Sequence, residues 1–243
     1  MIGTFINLAA ILVGGSLGLL FGSRLPERLK ATVIIGMGLF TAVTGIKMFL
    51  ETQNSLVVLG SLVIGALLGE WWKIEDGLQH LGEMIEKRCS PSNGENGKFA
   101  PHGNFAPYGD FVRGFMIASL LFCIGPLAIL GSIQAGLTGD YSLLVIKSVL
   151  DGFASMAFAS TLGVGVLFSA AVVLVYQGAI TLLSAQLNVI ATKPMMAEMT
   201  ATGGVLLLGI AISSLLEIKK IRVGNFLPAL LIAPLIVWII SLF

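Results

Sequence analysis

The run Leu143-Leu-Val-Ile-Lys147-Ser148-Val-Leu-Asp151-Gly-Phe-Ala-Ser155-Met-Ala-Phe-Ala-Ser160 is apolar, yet it carries two opposite charges and two hydroxyls. On a helix Lys147, Asp151 and Ser155 share one face, with Ser148 beside them, while Leu144, Leu150 and Phe153 are expected to point elsewhere. A charge in hydrocarbon costs at least a few kcal/mol, so such a pair faces a bundle interior or a wet cavity. The run is therefore expected to be a buried membrane helix with one polar stripe.

Composition agrees. Of 243 residues, 56% are hydrophobic and 11% charged, and the mean hydropathy is +0.96; an ordinary soluble domain has roughly a quarter of its residues charged. The apolar segments run to about twenty residues with little alternation, which suits helices across a ~30 Å core and not the strands of a barrel. The fold class expected is all-α, a polytopic transmembrane bundle whose first partner is the lipid bilayer, with room for a homo-oligomer. A net charge of +1 gives no reason to expect a nucleic-acid partner. Cys89 and Cys123, one in an expected loop and one in an expected helix, suit free thiols rather than a disulfide. Ile2 to Phe21 lacks a basic leader and a small-residue cleavage site, and is expected to be a retained span.

Eight spans are expected, at about 2–22, 31–50, 54–72, 112–134, 141–160, 162–190, 200–217 and 225–243. Gly152 to Thr192 holds no charge and is too long for one crossing, and the turn is expected within Ser160-Thr-Leu-Gly-Val-Gly165. Eleven of the fourteen basic residues then share one side: Arg24, Arg28, Lys30, Lys73, Lys87, Arg88, Lys98, Arg113, Lys219, Lys220 and Arg222. The positive-inside tendency makes that side cytoplasmic and puts both termini outside. Within the long cytoplasmic connection, Ile74, Leu78, Leu81 and Ile85 recur opposite Glu75, Glu83 and Glu86, an amphipathic helix over Lys73 to Arg88. Ser90 to Gly109, with His102, reads as a linker.

A shift of 166 residues lays Gly38 on Gly204, Glu51 on Glu217 and Leu62 on Pro228. It suggests an inverted repeat, spans one to three against six to eight, a common transporter plan. The chain divides accordingly into a first three-helix repeat (1–72), a cytoplasmic segment (73–110), a central pair (111–160) and a second repeat (161–243).

Pro126 lacks an N–H and Gly125 permits unwinding, so the fourth span is expected to break or kink there and free carbonyls that could hold a cation; a packing kink is the alternative. Ser132 and Gln134 lie towards its outer end. Lys147 and Asp151 are either an internal salt bridge or a site where Asp151 exchanges Lys147 for a cation or proton. Ser148, Ser155 and Gln177 complete the candidate binding set. Asn7, Thr44 and Gln177 also suit hydrogen bonds between helices. Lys47 lies where it can snorkel towards Glu51, and the glycines of Gly14 to Gly18 and Gly60 to Gly69 suit close helix packing. There is no nucleotide-binding loop, metal-spaced His cluster or Ser-His-Asp set, so no enzyme activity, metal or cofactor is expected.

Several runs together carry a resemblance: Gly3-Thr4 with Asn7, Leu25-Pro-Glu-Arg28, Gly65-Ala-Leu-Leu-Gly-Glu70, Gly125-Pro-Leu-Ala-Ile-Leu-Gly-Ser132, Lys147-Ser-Val-Leu-Asp-Gly-Phe153, Tyr176-Gln-Gly178 and Ile218-Lys-Lys-Ile-Arg-Val-Gly-Asn225. In these the chain resembles the bacterial inner-membrane family catalogued as domain of unknown function 554. The resemblance covers nearly the whole chain and implies a polytopic membrane protein, often labelled a possible transporter, without an established substrate. The function expected is passage of a small polar solute or ion between spans four, five and six. The alternative is a scaffold or signalling protein that engages a cytoplasmic partner through residues 73–88. A reporter fused at Gly94 is expected in the cytoplasm and one after Phe243 outside; a cytoplasmic C-terminal reporter would refute the eight-span count.

Overall fold

The structure, a computed structural model, describes residues 1–22, 25–89, 110–187 and 192–242; the expected linker with His102, and Arg24 and Lys98, lie outside them. Among the described residues there is no strand. The helices are α1 (Ile2–Gly22), α2 (Glu27–Phe49), α3 (Ser55–Trp72), α4 (Ile74–Cys89), α5 (Asp110–Cys123), α6 (Pro126–Leu137), α7 (Ser142–Leu162), α8 (Gly165–Leu182), α9 (Ser184–Leu187), α10 (Lys193–Ile210) and α11 (Ala229–Ile240). A π-turn, Ala211–Leu215, extends α10, and a 3-10 turn, Val223–Phe226, leads into α11.

Among the described residues, seven helical segments are long and apolar enough to cross a membrane. The eighth is the pair α5 and α6, bent by 58° where Pro126 starts a new helix after an extended Gly125. The contacts of this pair show that it traverses the bundle. Phe111, at its start, lies against Gly165 at the start of α8, and Gly136, near its end, lies against Thr181 and Ser184. The two halves of the pair thus run along the whole of α8 in one direction. The break expected at Gly125-Pro126 is present, and its cause is the missing proline N–H.

The turn between α7 and α8 falls at Gly163, whose φ of 80° is a left-handed conformation that side chains resist. Several boundaries differ from those expected. α2 begins at Glu27, which brings Arg28 and Lys30 into its first turn. The sixth span ends at Leu182 rather than 190, and the seventh starts at Lys193 rather than 200, because Pro194 in the first turn is pre-set for a helix start. Cys89 closes α4 instead of lying in a loop.

α1 and α7 run parallel. Gly3 lies against Tyr141 and Leu144, Gly14 against Gly152 and Ser155, Gly18 against Met156, and Gly22 against Ser160. Gly14, Gly18 and Gly22 recur every four residues and so form one stripe that meets α7 carbonyls. A Cβ built on Gly18 would fall 2.2 Å from the Met156 carbonyl oxygen, and one on Gly14 2.1 Å from that of Gly152. Only glycine fits. α2 and α10 pack antiparallel, as do α3 and α11: Gly38 meets Leu215 and Leu216 and Gly45 meets Gly204, while Gly65 meets Ala229 and Gly69 meets Asn225.

The bundle therefore has two halves, α1 with α5 to α8 and α2, α3, α10 and α11, and contacts between them are sparser than within them. Arg28 and Lys30, Lys73, Lys87, Arg88, Arg113, Lys219, Lys220 and Arg222 all stand at one end, called here the basic end. Ile2, Tyr141 and Ile240 stand at the other. The lipid-facing surface is apolar, with Phe40, Leu67 and Val175 exposed. Gly18→Val is expected to destabilise the protein by ~3 kcal/mol or more, since neither backbone can yield; Leu17→Val, on the exposed face of α1, is the control, and thermal unfolding in detergent reads both.

Candidate functional site

Asp151 stands midway along the 21 residues of α7, nine from Ser142 and eleven from Leu162; at ~1.5 Å per residue it lies about 14 Å from one end. Lys147 is one turn nearer the Tyr141 end and ion-pairs with Asp151 Oδ2. Both are buried, at 5% and 8% exposure. The seam just described carries Asn7 to the same place: its Nδ2 donates to Asp151 Oδ2 at 3.0 Å and, at 3.3 Å, to Gln177 Oε1 of α8. Lys147 Nζ also lies 6.0 Å from the Phe122 ring centre on α5. Four polar side chains from three helices thus converge at mid-depth, on a face where the rest of α7 is packed.

The convergence is incomplete as a hydrogen-bond network. Asn7 Oδ1 and Gln177 Nε2 have no partner, nor have the hydroxyls of Thr4 and Ser132, although all four are buried. Gly3 and Gly131 both touch Leu144, so Thr4 and Ser132, each the next residue, stand at the level of Leu144, about a turn beyond Lys147. A buried polar atom without a partner costs about 1–3 kcal/mol, and such groups are few in native proteins.

The other candidates divide. Ser148 is buried but donates to the Leu144 carbonyl of its own helix at 2.6 Å, which leaves it no free donor. Ser155 donates to Ile11 O at 3.1 Å and Gly152 O at 3.0 Å and ties α1 to α7. Gln134 is away from the pair: its Nε2 donates to Asp140 Oδ2 at 2.7 Å in the loop before α7. There the Ser142 hydroxyl and N–H, with Gln134, hold the Asp140 carboxyl below its usual range. Gly125, at the break before Pro126, lines a cavity of about 10 Å³ with Met48, Ile129, Met199, Thr200, Gly203 and Leu230, the lower limit for one water. The break thus turns towards α10 and α11, while Phe122, just before it, lies against Lys147. Leu144, expected to point away, is fully buried under α1 and α6; Leu150 and Phe153 do face outward.

Three polar contacts escaped the sequence. Glu198, 2% exposed on α10, accepts from the N–H groups of Gln53 and Asn54 at 2.7 and 2.9 Å and from the Thr52 hydroxyl at 2.6 Å. Glu75 was expected on the wet face of α4. Instead its N–H donates to Asn225 Oδ1 at 2.8 Å and its Oε2 accepts from Gly224 N–H at 2.9 Å. Burial pushes its carboxyl above the usual range, against the pull of the Gly224 N–H, Lys220 and Arg222. Arg113 ion-pairs with Glu217 and donates from its guanidinium to Ser214 O at 2.5 Å. Among the described residues no group of His, Cys, Asp and Glu is placed to hold a metal.

An all-helical bundle with seven long apolar helices and a broken eighth, closed around a buried ion pair, is a polytopic membrane protein. The chain belongs to the family described as protein of unknown function (DUF554), which it matches over residues 2–238. It is 33% identical over 233 residues to the uncharacterized protein YqgA of Escherichia coli (strain K12), covering 96% of this chain and 94% of that one. It is 31% identical over 247 residues to the uncharacterized membrane protein YdfK of Bacillus subtilis (strain 168), covering 100% of this chain and 98% of the relative. No solved structure matches it.

Asp151→Asn is expected to lower stability by about 3–5 kcal/mol because it strands the buried Lys147, whereas Lys147→Met with Asp151→Leu recovers most of the loss. Denaturation midpoints of the single and double variants test this; a single variant as stable as the parent would show that the pair contributes little.

Proposed function

We propose that this protein is a transporter or ion pathway for a small polar solute or ion, with its site at mid-membrane around Lys147 and Asp151. The observation that carries this is the sharing of one carboxylate oxygen, Asp151 Oδ2, between Lys147 and Asn7, beside amide atoms that have no partner. A carboxylate that already divides its charge between two donors can release one in favour of an arriving cation with little rearrangement, and the ammonium keeps the empty site neutral. A purely structural ion pair would favour full satisfaction, since a half-satisfied buried network is worse than an apolar core. No chemical step is assigned to the protein, and the basic end is taken to face the cytoplasm of a bacterial inner membrane.

The packing of α2 on α10 lends support to the inverted repeat. The repeat requires that α2 and its counterpart α10 run in opposite directions, as they do, with Gly38 against Leu215 and Gly45 against Gly204. Inverted repeats place the cargo site near the midplane, where Asp151 stands.

Purified protein in liposomes is expected to conduct a small ion or solute down its gradient. The variant Lys147→Met with Asp151→Leu is expected to fold and be inert. Unchanged flux through that stable double variant would remove the pair from the site.

A further inference from the structure

We infer that the basic end of the bundle is a latch: Arg113 and α4 fasten the two halves together there, the structure is the state closed at that end, and the halves part at the basic end when Arg113 releases the end of α10. The latch stands on the geometry and does not rest on the transport function proposed above.

The polar contacts at the two ends differ in what they join. At the Tyr141 end, Gln134, Asp140 and Ser142 bond one another beside α6 and α7, and Glu198 of α10 holds Thr52, Gln53 and Asn54 between α2 and α3. Among the described residues, no hydrogen bond or ion pair at that end passes from one half to the other. Arg113 does pass between them. It stands on α5, in the half with α1, and its guanidinium donates to Ser214 O at 3.2 and 2.5 Å and ion-pairs with Glu217, both at the end of α10 in the other half.

α4 spans the same boundary. Glu75 bonds to Gly224 and Asn225 ahead of α11, whereas Gly82 lies against Val112 and Phe115 of α5, and Ile85 packs on the same cluster. Hydrogen bonds therefore join this helix to one half and apolar contacts join it to the other. Apolar contacts part without stranding a polar group, so α4 is expected to travel with α3 and α11.

The backbone is strained at the same end. Lys73 and Glu217, with φ of 51° and 53°, are the non-glycine residues of positive φ among those described. Side chains resist this conformation, and it persists only where the surroundings hold it. Lys73 stands where α3 gives way to α4, and Glu217 just past the π-turn that ends α10. Release of Arg113 frees Glu217 to leave that conformation. Water can also take the place of either partner, because the Glu217 side chain is 24% exposed, whereas parting the buried Lys147–Asp151 pair would strand two charges.

Spin labels can read the two ends separately. Cysteines replacing Val164 and Leu29, exposed at the basic ends of α8 and α2, report one end, and cysteines replacing Leu182 and Leu50, exposed at the opposite ends of these helices, report the other. Cys89→Ser and Cys123→Ala remove the native thiols. Pulsed electron-resonance distances in nanodiscs are expected to show one short distance at the basic end of the parent, with a longer population of at most about a tenth. In Arg113→Gln that longer population is expected to grow several-fold, while the distance at the Tyr141 end does not lengthen. Glu217→Gln leaves Arg113 its bond to Ser214 O and is expected to act in the same direction, less strongly; it decides the matter if Arg113→Gln does not fold. An unchanged basic-end distance in the folded variants overturns the latch. Lengthening at both ends overturns it too, since that is a bundle loosened throughout.

Discussion

Backbone contact between α1 and α7 sets where everything else in the interior can stand. With glycine at every fourth position from Gly14 to Gly22, the two helices approach until α7 carbonyls lie where a side chain would begin. No apolar driving force draws helices together in lipid, so contact of this kind, with weak Cα–H···O interactions, supplies the association. Its consequence is chemical as well as mechanical. The parallel register delivers Asn7 to 3.0 Å from Asp151, and without it the ion pair would lack its third member. The helices that face away from this seam are free to carry Leu, Val and Phe to the lipid.

The two ends of the bundle are fastened by different means. At the Tyr141 end the loop after α2 wraps one buried carboxylate, Glu198, using backbone N–H groups and a hydroxyl. At the basic end α4 lies against the turn before α11 through a reciprocal pair of bonds between Glu75 and Gly224-Asn225, and Arg113 fastens α5 to the end of α10. Leu78 and Ile85 pack inward from α4 while Leu81 remains half exposed. The amphipathic helix is thus a fitted part of the bundle.

The fold was legible in the sequence because its causes are local. Span length, the charge-free run from Gly152 to Thr192, the Gly125-Pro126 break and the small residues after Ser160 each act within one or two turns. The ion pair was legible for the same reason, since Lys147 and Asp151 are four residues apart on one helix. What surrounds it was not. Asn7 and Asp151 are 144 residues apart, and nothing in either segment specifies that their helices run parallel in one register. Glu75 misled because helical spacing placed it opposite the apolar stripe, and its partner is a backbone N–H on a distant turn. Gln134 misled in the opposite sense: it is on the helix that begins at the break, but its amide is turned to an aspartate six residues on, in the loop before α7. Polar residues whose partners are backbone atoms leave no pattern in a sequence.

The division of the bundle into two halves has a mechanical consequence. Each half is held by antiparallel or parallel pairs in which backbones touch, whereas the boundary between the halves is crossed mainly by side chains, and the broken helix lies along that boundary with a water-sized void beside it. A displacement of one half against the other would break fewer backbone contacts than any displacement within a half. It would leave the seam, the ion pair and Asn7 moving as one rigid unit. The kink at Gly125 is then the place where the broken helix, packed on α8 along both of its halves, lies against α10 of the other half, and so where such a shear would concentrate.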